Sequence, residues 1–181
     1  MEERMSRTDW VRAGLAALSE AGVEEVRIER LAQRLGITKG SFYWHFKRRD
    51  DLLLAIIKEW ERVQTSAVIE AVEATGETPQ VKLRNLSLLV AAFDVKLEAA
   101  MRRWAASDSR ARQSVQRIDR SRLAHIQSIV ALAGVPEDQA KLRARFIYFA
   151  FIGEVAFGTS VDLKDRPTNA EAIQALILRW P

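Results

Sequence analysis

The chain has 181 residues, 48% of them hydrophobic, with 28 basic and 24 acidic side chains and a formal net charge of +4. That is enough apolar material to bury a real core, which argues against disorder. Zero cysteines exclude disulfides, thiolate metal sites and cysteine nucleophiles together. Four prolines, eight glycines and no long alternating runs favour an all-α fold. No stretch reaches about 18 consecutive apolar residues, and the start Met1-Glu2-Glu3-Arg4 lacks the apolar run of a signal peptide, so a cytoplasmic protein with no membrane partner is expected.

In chain order, an amphipathic helix carries Trp10, Val11, Ala13, Gly14, Leu15 and Leu18 and is followed by Gly22. Ile28, Leu31, Ala32 and Leu35 then recur at i, i+3, i+4 and i+7, one apolar face of a short helix that Gly36 ends. Thr38 is placed to cap the next helix through its hydroxyl. That helix, about Lys39 to His45, sets Phe42 and Phe46 four apart as anchors to the core and leaves a polar, aromatic face for a partner. From Val26 to Arg49, seven basic residues (Arg27, Arg30, Arg34, Lys39, Lys47, Arg48 and Arg49) stand against Glu29 alone. This local +6 exceeds the +4 of the whole chain. Such a concentration suits phosphate contacts, while a solvated basic stripe is the plainer account of each arginine taken singly.

Asp50 to about Thr75 reads as one long helix, and Gly76-Glu77-Thr78-Pro79 as a turn before a helix reaching Phe93. Further helices are predicted over Leu97 to Ser107, Asp108 to about Ala133, Glu137 to Gly158 and Asn169 to Trp180, about nine in all, with a loop at 159–168. The helix ending at Gly158 is apolar almost all round, including Phe149, Phe151 and Phe157, so it must be buried on more than one side. The last helix repeats the demand with Ile173, Leu176, Ile177 and Trp180. A partner subunit would meet it, and so would a large single-chain core. Glu154, set in this apolar helix, must pair, protonate or reach solvent. It is read either as an interface residue meeting an arginine or as a ligand-orienting group.

Catalysis finds little support. The two histidines are His45, inside the basic helix pair, and His125, alone on a helix; no metal-spaced cluster, phosphate loop or nucleophile-histidine set occurs. The chain is therefore expected to be no enzyme and to use no metal or cofactor.

The run Thr38-Lys39-Gly40-Ser41-Phe42-Tyr43-Trp44-His45-Phe46, followed by Arg49 and Leu52-Leu53, resembles the signature of the tetracycline-repressor (TetR) family of bacterial transcriptional regulators, and the likeness extends over roughly residues 7 to 55. Arg48 departs from the pattern, which often has a small capping residue there, although Asp50 and Asp51 still favour the helix N-terminus. The resemblance implies a DNA-binding helix-turn-helix domain over 1–50 and a helical ligand-binding and dimerisation domain over 51–181. Position in the motif then points to Lys39, Ser41, Tyr43 and His45 as DNA contacts. Thr38 and Arg49 would lie near phosphates, Arg27 would add a further contact, and Gly40 would permit close backbone approach. Trp44 either meets a thymine methyl or sugar or covers the head. For a small-molecule effector the implied lining is Trp60, Gln64, Leu89, Phe93, Met101, Trp104 and Phe149, although most of these could equally be plain core. The implied homodimer interface takes Phe151, Glu154, Ile173, Leu176, Ile177 and Trp180. The function so implied is a homodimeric repressor released from a palindromic operator on effector binding. A transcriptional activator and a ligand-independent architectural DNA-binding protein are the alternatives.

Overall fold

The computed structural model describes residues 5–91, 93, 95–158 and 166–179, and every regular element among them is helical. The helices are α1 (Arg7–Ala21), α2 (Ile28–Leu35), α3 (Lys39–Tyr43), α4 (Arg49–Glu61), α5 (Ala67–Glu73), α6 (Pro79–Ala91), α7 (Val95–Ser107), α8 (Ser109–Leu132), α9 (Glu137–Phe157) and α10 (Arg166–Arg179). A short 3-10 turn covers Val23–Glu25, and a π-helical turn, Arg62–Ser66, joins α4 to α5 without a break. With that run taken as one, the described residues hold nine α-helical segments, as predicted. Of the loop expected at 159–168, residues 159–165 lie outside the described residues, as does Trp180, and residues 166–168 are instead the first turn of α10.

Two compact units share these elements. The first takes α1 to α4, Arg62 and residues 96–115; the second takes residues 63–95 and the chain from 116 on. The functional boundary expected at residue 50 falls inside the first unit, where α4 packs on α1. Its fully buried side chains include Trp10, Leu18, Phe42, Leu52, Ile56, Trp60 and Met101. The second unit closes around Leu83, Ile126, Ile129, Val130, Ala140, Ala144, Tyr148 and Ile177, with α10 packed on α6 and α9. Buried Arg143 fastens that arrangement: it donates to the Ile177 carbonyl at 2.6 Å and to Gln139 Oε1 at 2.6 Å.

Local chemistry sets the helix ends. At α1, the Ser6 hydroxyl accepts from the Asp9 amide at 3.3 Å while the Asp9 carboxylate accepts the Ser6 N–H at 2.9 Å, a reciprocal cap that satisfies donors the helix leaves open. At α4, where Arg48 removes the usual capping residue, Asp51 takes over and accepts the Lys47 and Arg48 amides, each at 3.2 Å. Gly36 ends α2 at φ +68°, ψ 27°, the left-handed conformation, with its own N–H on the Gln33 carbonyl and that of Ile37 on Ala32. At the head of α8, Asp108 accepts the amides of Arg110 and Ala111 at 2.8 and 3.2 Å. The Arg110 side chain, with these amides, holds the Asp108 carboxyl down to about 2.

Two stability effects are expected. Gly36→Ala places a Cβ in a left-handed turn and should cost about 1 kcal/mol, read as a lower urea midpoint at unchanged slope. Asp108 has a folded-state pKa, about 2, below its ordinary 3.8, so its contribution is present above the ordinary value and lost as pH falls through about 2. Asp108→Asn should lower stability at neutral pH and flatten its pH dependence in that acid window. An unchanged slope there contradicts the assignment.

Candidate nucleic-acid interface and effector cavity

The first site is built on α3, whose five residues are too few to be a stable helix alone and depend on tertiary packing. Phe42 supplies it. Its ring meets Trp10 edge-on at 5.1 Å and stacks on Phe46 at 5.3 Å, and Phe42 and Phe46 are 0% and 4% exposed. Arg7 lies over the outer side of the Phe46 ring, 4.8 Å from its centre. With this face fixed inward, Tyr43 and Trp44 stand 61% and 78% exposed, and Lys39 and Gly40 are exposed beside them. Large aromatics left in water on a soluble surface mark a place for a partner. A Cβ built on Gly40 would meet only the Thr38 hydroxyl, at 3.6 Å, so the approach there is open.

Other expected contacts are placed differently. Thr38 stands at the start of α3 in extended conformation, but its hydroxyl makes no capping bond. Ser41 is half-buried, and the His45 ring nitrogen Nε2 is held 2.8 Å from the Met5 carbonyl. Arg49 donates to the carbonyls of Val26 at 2.6 Å and Val23 at 2.7 Å; it clamps the turn between α1 and α2 to α4 rather than reaching outward.

The basic stripe is also less bare than its sequence window suggested. Arg34 forms a two-bonded pair with Glu20, both at 2.6 Å, Arg30 pairs with Glu25, and Lys39 lies 2.9 Å from Glu29. Arg27 donates to the Glu24 carbonyl at 2.8 Å. Glu20 and Glu25 fall outside the 26–49 window, so a count along the chain missed neighbours in space. These pairs are exposed, and exposed pairs are weak enough to be exchanged for phosphate contacts.

The second site lies wholly in the second unit: a cavity of about 350 Å³, within the range of small-molecule sites. Its wall is apolar, with Leu83, Leu86, Val90 and Ile126 among its side chains, and is interrupted by Gln64, Thr65, Arg122, His125 and Tyr148. Arg122, 8% exposed, donates to Thr65 Oγ1 at 3.0 Å and to the Gln64 carbonyl at 3.1 Å, with Phe151 5.9 Å from its guanidinium. The Tyr148 hydroxyl donates to Asp119 at 2.5 Å. Burial, acting before any charge, lowers the His125 pKa below its usual value, opposed by Glu73 and aided by Lys82.

Of the predicted lining, the structure brings Gln64 and Phe93 to this cavity and corrects the rest. Trp60, Met101 and Trp104 are core residues of the first unit, 0%, 0% and 5% exposed. Leu89 and Phe149 are turned outward, with the Arg145 guanidinium 5.3 Å from the Phe149 ring. The signal missed was the polar residue on an apolar helix face: Thr65, Arg122 and His125 each interrupt one. The predicted interface residues Phe151, Glu154, Ile173, Leu176 and Ile177 all line the same cavity. Ile177 is buried within its own chain, whereas Glu154, Ile173 and Leu176 are exposed, so Glu154 reaches solvent. Trp180 lies outside the described residues. Among the described residues no group of acidic and histidine side chains could hold a metal, and no helix is long and apolar enough to cross a membrane.

Comparison with known proteins agrees with the first site. Residues 11–56 match the family model for bacterial regulatory proteins of the tetR family. The class D tetracycline repressor of Escherichia coli is 34% identical over 82 residues, 45% of this chain and 36% of that protein; the chain thus spans about a third of the curated relatives it matches. Two solved structures share the fold across nearly the whole chain: a TetR-like transcriptional regulator from Rhodococcus sp. RHA1 (TM-score 0.74, 17% identity, 96% of each chain) and FadR of Bacillus subtilis in complex with stearoyl-CoA (TM-score 0.68, 18% identity, 96% of this chain and 98% of that one). The helix-turn-helix with its exposed aromatic pair thus lies in the segment that matches the tetR family of bacterial regulatory proteins, and the chain shares the fold of a solved TetR-like regulator.

Proposed function

We propose that this protein is a sequence-reading transcriptional regulator that binds duplex DNA as a homodimer and is released when a small molecule fills the cavity of its second unit. The observation that carries the DNA-binding part is α3, locked on its inner side by Phe42 and Phe46 while Lys39, Tyr43 and Trp44 face outward. A short helix so presented fits a major groove, with Lys39 and Tyr43 reaching base edges or phosphates and Trp44 offering an apolar surface to a thymine methyl.

Dimerisation is supported by α9 and α10. Leu142, Phe146, Phe149 and Phe157 recur on one side of α9, 56%, 55%, 52% and 84% exposed, and Ile173 and Leu176 on α10 are 43% and 58% exposed. Gly153 falls within the same stripe, and a Cβ there would touch nothing among the described residues, which leaves room for a partner backbone. An exposed apolar face of this extent is unusual on a monomer. A two-fold pair would present two α3 helices to half-sites about 34 to 36 Å apart, hence a palindromic operator.

The cavity supports the switch. One relative of the same fold was solved with stearoyl-CoA bound. For release, the effector must bind the DNA-incompetent state more tightly, since equal affinity for both states shifts nothing. Repression follows where the operator overlaps a promoter.

Three outcomes test this reading on a duplex that the protein retains. Lys39→Ala should weaken binding and reduce the salt slope of log K by about one, a loss the same on every sequence if Lys39 meets phosphate and selective if it meets a base. Arg49→Ala should instead lower the urea midpoint of the folded protein, because its guanidinium holds the Val23 and Val26 carbonyls; an unchanged midpoint with lost DNA affinity would return it to the phosphates. The double variant Phe149→Glu, Leu176→Glu should halve the mass seen by light scattering. A wild-type protein that is already monomeric, or a variant that stays dimeric, removes α9 and α10 from the interface.

A further inference from the structure

The outward face of α9 is self-complementary about its middle. Taken outward from the step between Phe149 and Ala150, that face matches Phe149 with Ala150, Phe146 with Gly153, Arg145 with Glu154 and Leu142 with Phe157. These positions follow one another at steps of three and one, which sets them on one side of a helix, and all are exposed except half-buried Gly153. A ring thus meets a small residue twice, a cation meets an anion, and the outermost pair is apolar. In a two-fold contact residue i meets j and j meets i, so a second copy running antiparallel makes every one of these matches twice.

Two features of the single chain favour this register. A Cβ at Gly153 would meet nothing among the described residues, so the space that the partner's Phe146 needs is open. Neither Arg145 nor Glu154 has an ion-pair partner among the described residues, and the Arg145 guanidinium already lies along the face, 5.3 Å from the centre of the Phe149 ring. A parallel pair would instead set like against like at positions 145 and 154 and leave a gap between two glycines. Sliding the antiparallel pair by one helical turn sets Glu154 against Phe149 in one direction, and Phe157 against Asp138 in the other.

The register also bears on the cavity. Among its lining residues, those exposed are Phe146, Ala150, Glu154, Asn169, Ile173 and Leu176, all on α9 and α10, so it opens between these two helices. With the matches above, the partner's Phe149 covers Ala150 and the partner's Arg145 meets Glu154, both at this mouth. We infer that a second copy of this chain packs its α9 antiparallel in this register, and that each subunit's Phe149 and Arg145 close the cavity of the other. The inference rests on the homodimer reading above and adds to it the pairing and a site completed by two chains. A small molecule held there touches both subunits, so its affinity and the dimer's are linked reciprocally.

Sedimentation equilibrium of the full chain, without DNA, tests the register with Arg145→Glu, Glu154→Arg and the double exchange. Each single variant opposes like charges at two places and should raise the dimer Kd about tenfold or more, while the double exchange should return it to within about threefold of the wild type. An equimolar mixture of the two single variants should form heterodimers where neither pairs with itself, because both contacts are then attractive; recovery by mixing also shows that both chains are folded. Closure of the mouth is read by N-ethylmaleimide labelling of Ala150→Cys, in a chain with no other cysteine. Labelling of the dimer should be about tenfold slower than labelling of the same variant with Arg145→Glu added. A dimer unmoved by either single exchange, or one that neither the double exchange nor mixing restores, overturns the register, and equal labelling rates overturn the closure. These outcomes leave the dimer itself standing, whereas a monomeric wild type overturns this inference and the dimer reading together.

Discussion

The packing of one aromatic ring controls the outward surface of α3, the surface proposed to meet DNA. Phe42 is fully buried between Trp10 of α1 and Phe46, and α3 is too short to hold its shape without that anchor. Everything the helix offers outward follows from it: with the Phe42 side closed, Lys39, Tyr43 and Trp44 have only the solvent side left. Gly36 serves the same end, since its left-handed turn sets where α3 begins relative to α2. Arg49 adds a second fastening, tying α4 to the carbonyls that lead into α2. The outward surface of α3 is thus a consequence of burial on the opposite side.

Much of this was legible in the residues. Periodicity placed the helices because amphipathic faces repeat at helical spacing, and the glycine at 36 announced a turn that only a residue without Cβ enters cheaply. The Phe42 and Phe46 pair was found by their spacing alone. Charge was harder to read. A window along the chain counts residues in order, whereas Glu20 and Glu25 reach Arg34 and Arg30 across a turn and dilute the stripe. Arg49 shows the same limit in reverse, as a cation in a basic motif that acts on backbone carbonyls.

The cavity was less legible, for a physical reason. Apolar residues at helical spacing say that a face is buried but not what it is buried against, so lining and plain core were both open for Trp60, Met101 and Trp104, and the structure makes them core. The informative residues were polar ones interrupting apolar faces. Thr65, Arg122 and His125 are costly to bury and are retained where hydrogen bonds hold them or where a ligand can complete them. The π turn at 62–66, which puts Gln64 and Thr65 on the cavity wall, has no signature in the amino-acid order at all.

The central claim is that this protein reads DNA sequence as a two-fold pair. Selection of bound duplexes from a randomised pool, at a stated salt concentration because phosphate contacts make affinity salt-dependent, tests it most directly. The account predicts enrichment of a palindromic site whose half-sites are helically phased. Binding that enriches no sequence, or a single unpaired half-site, would contradict it.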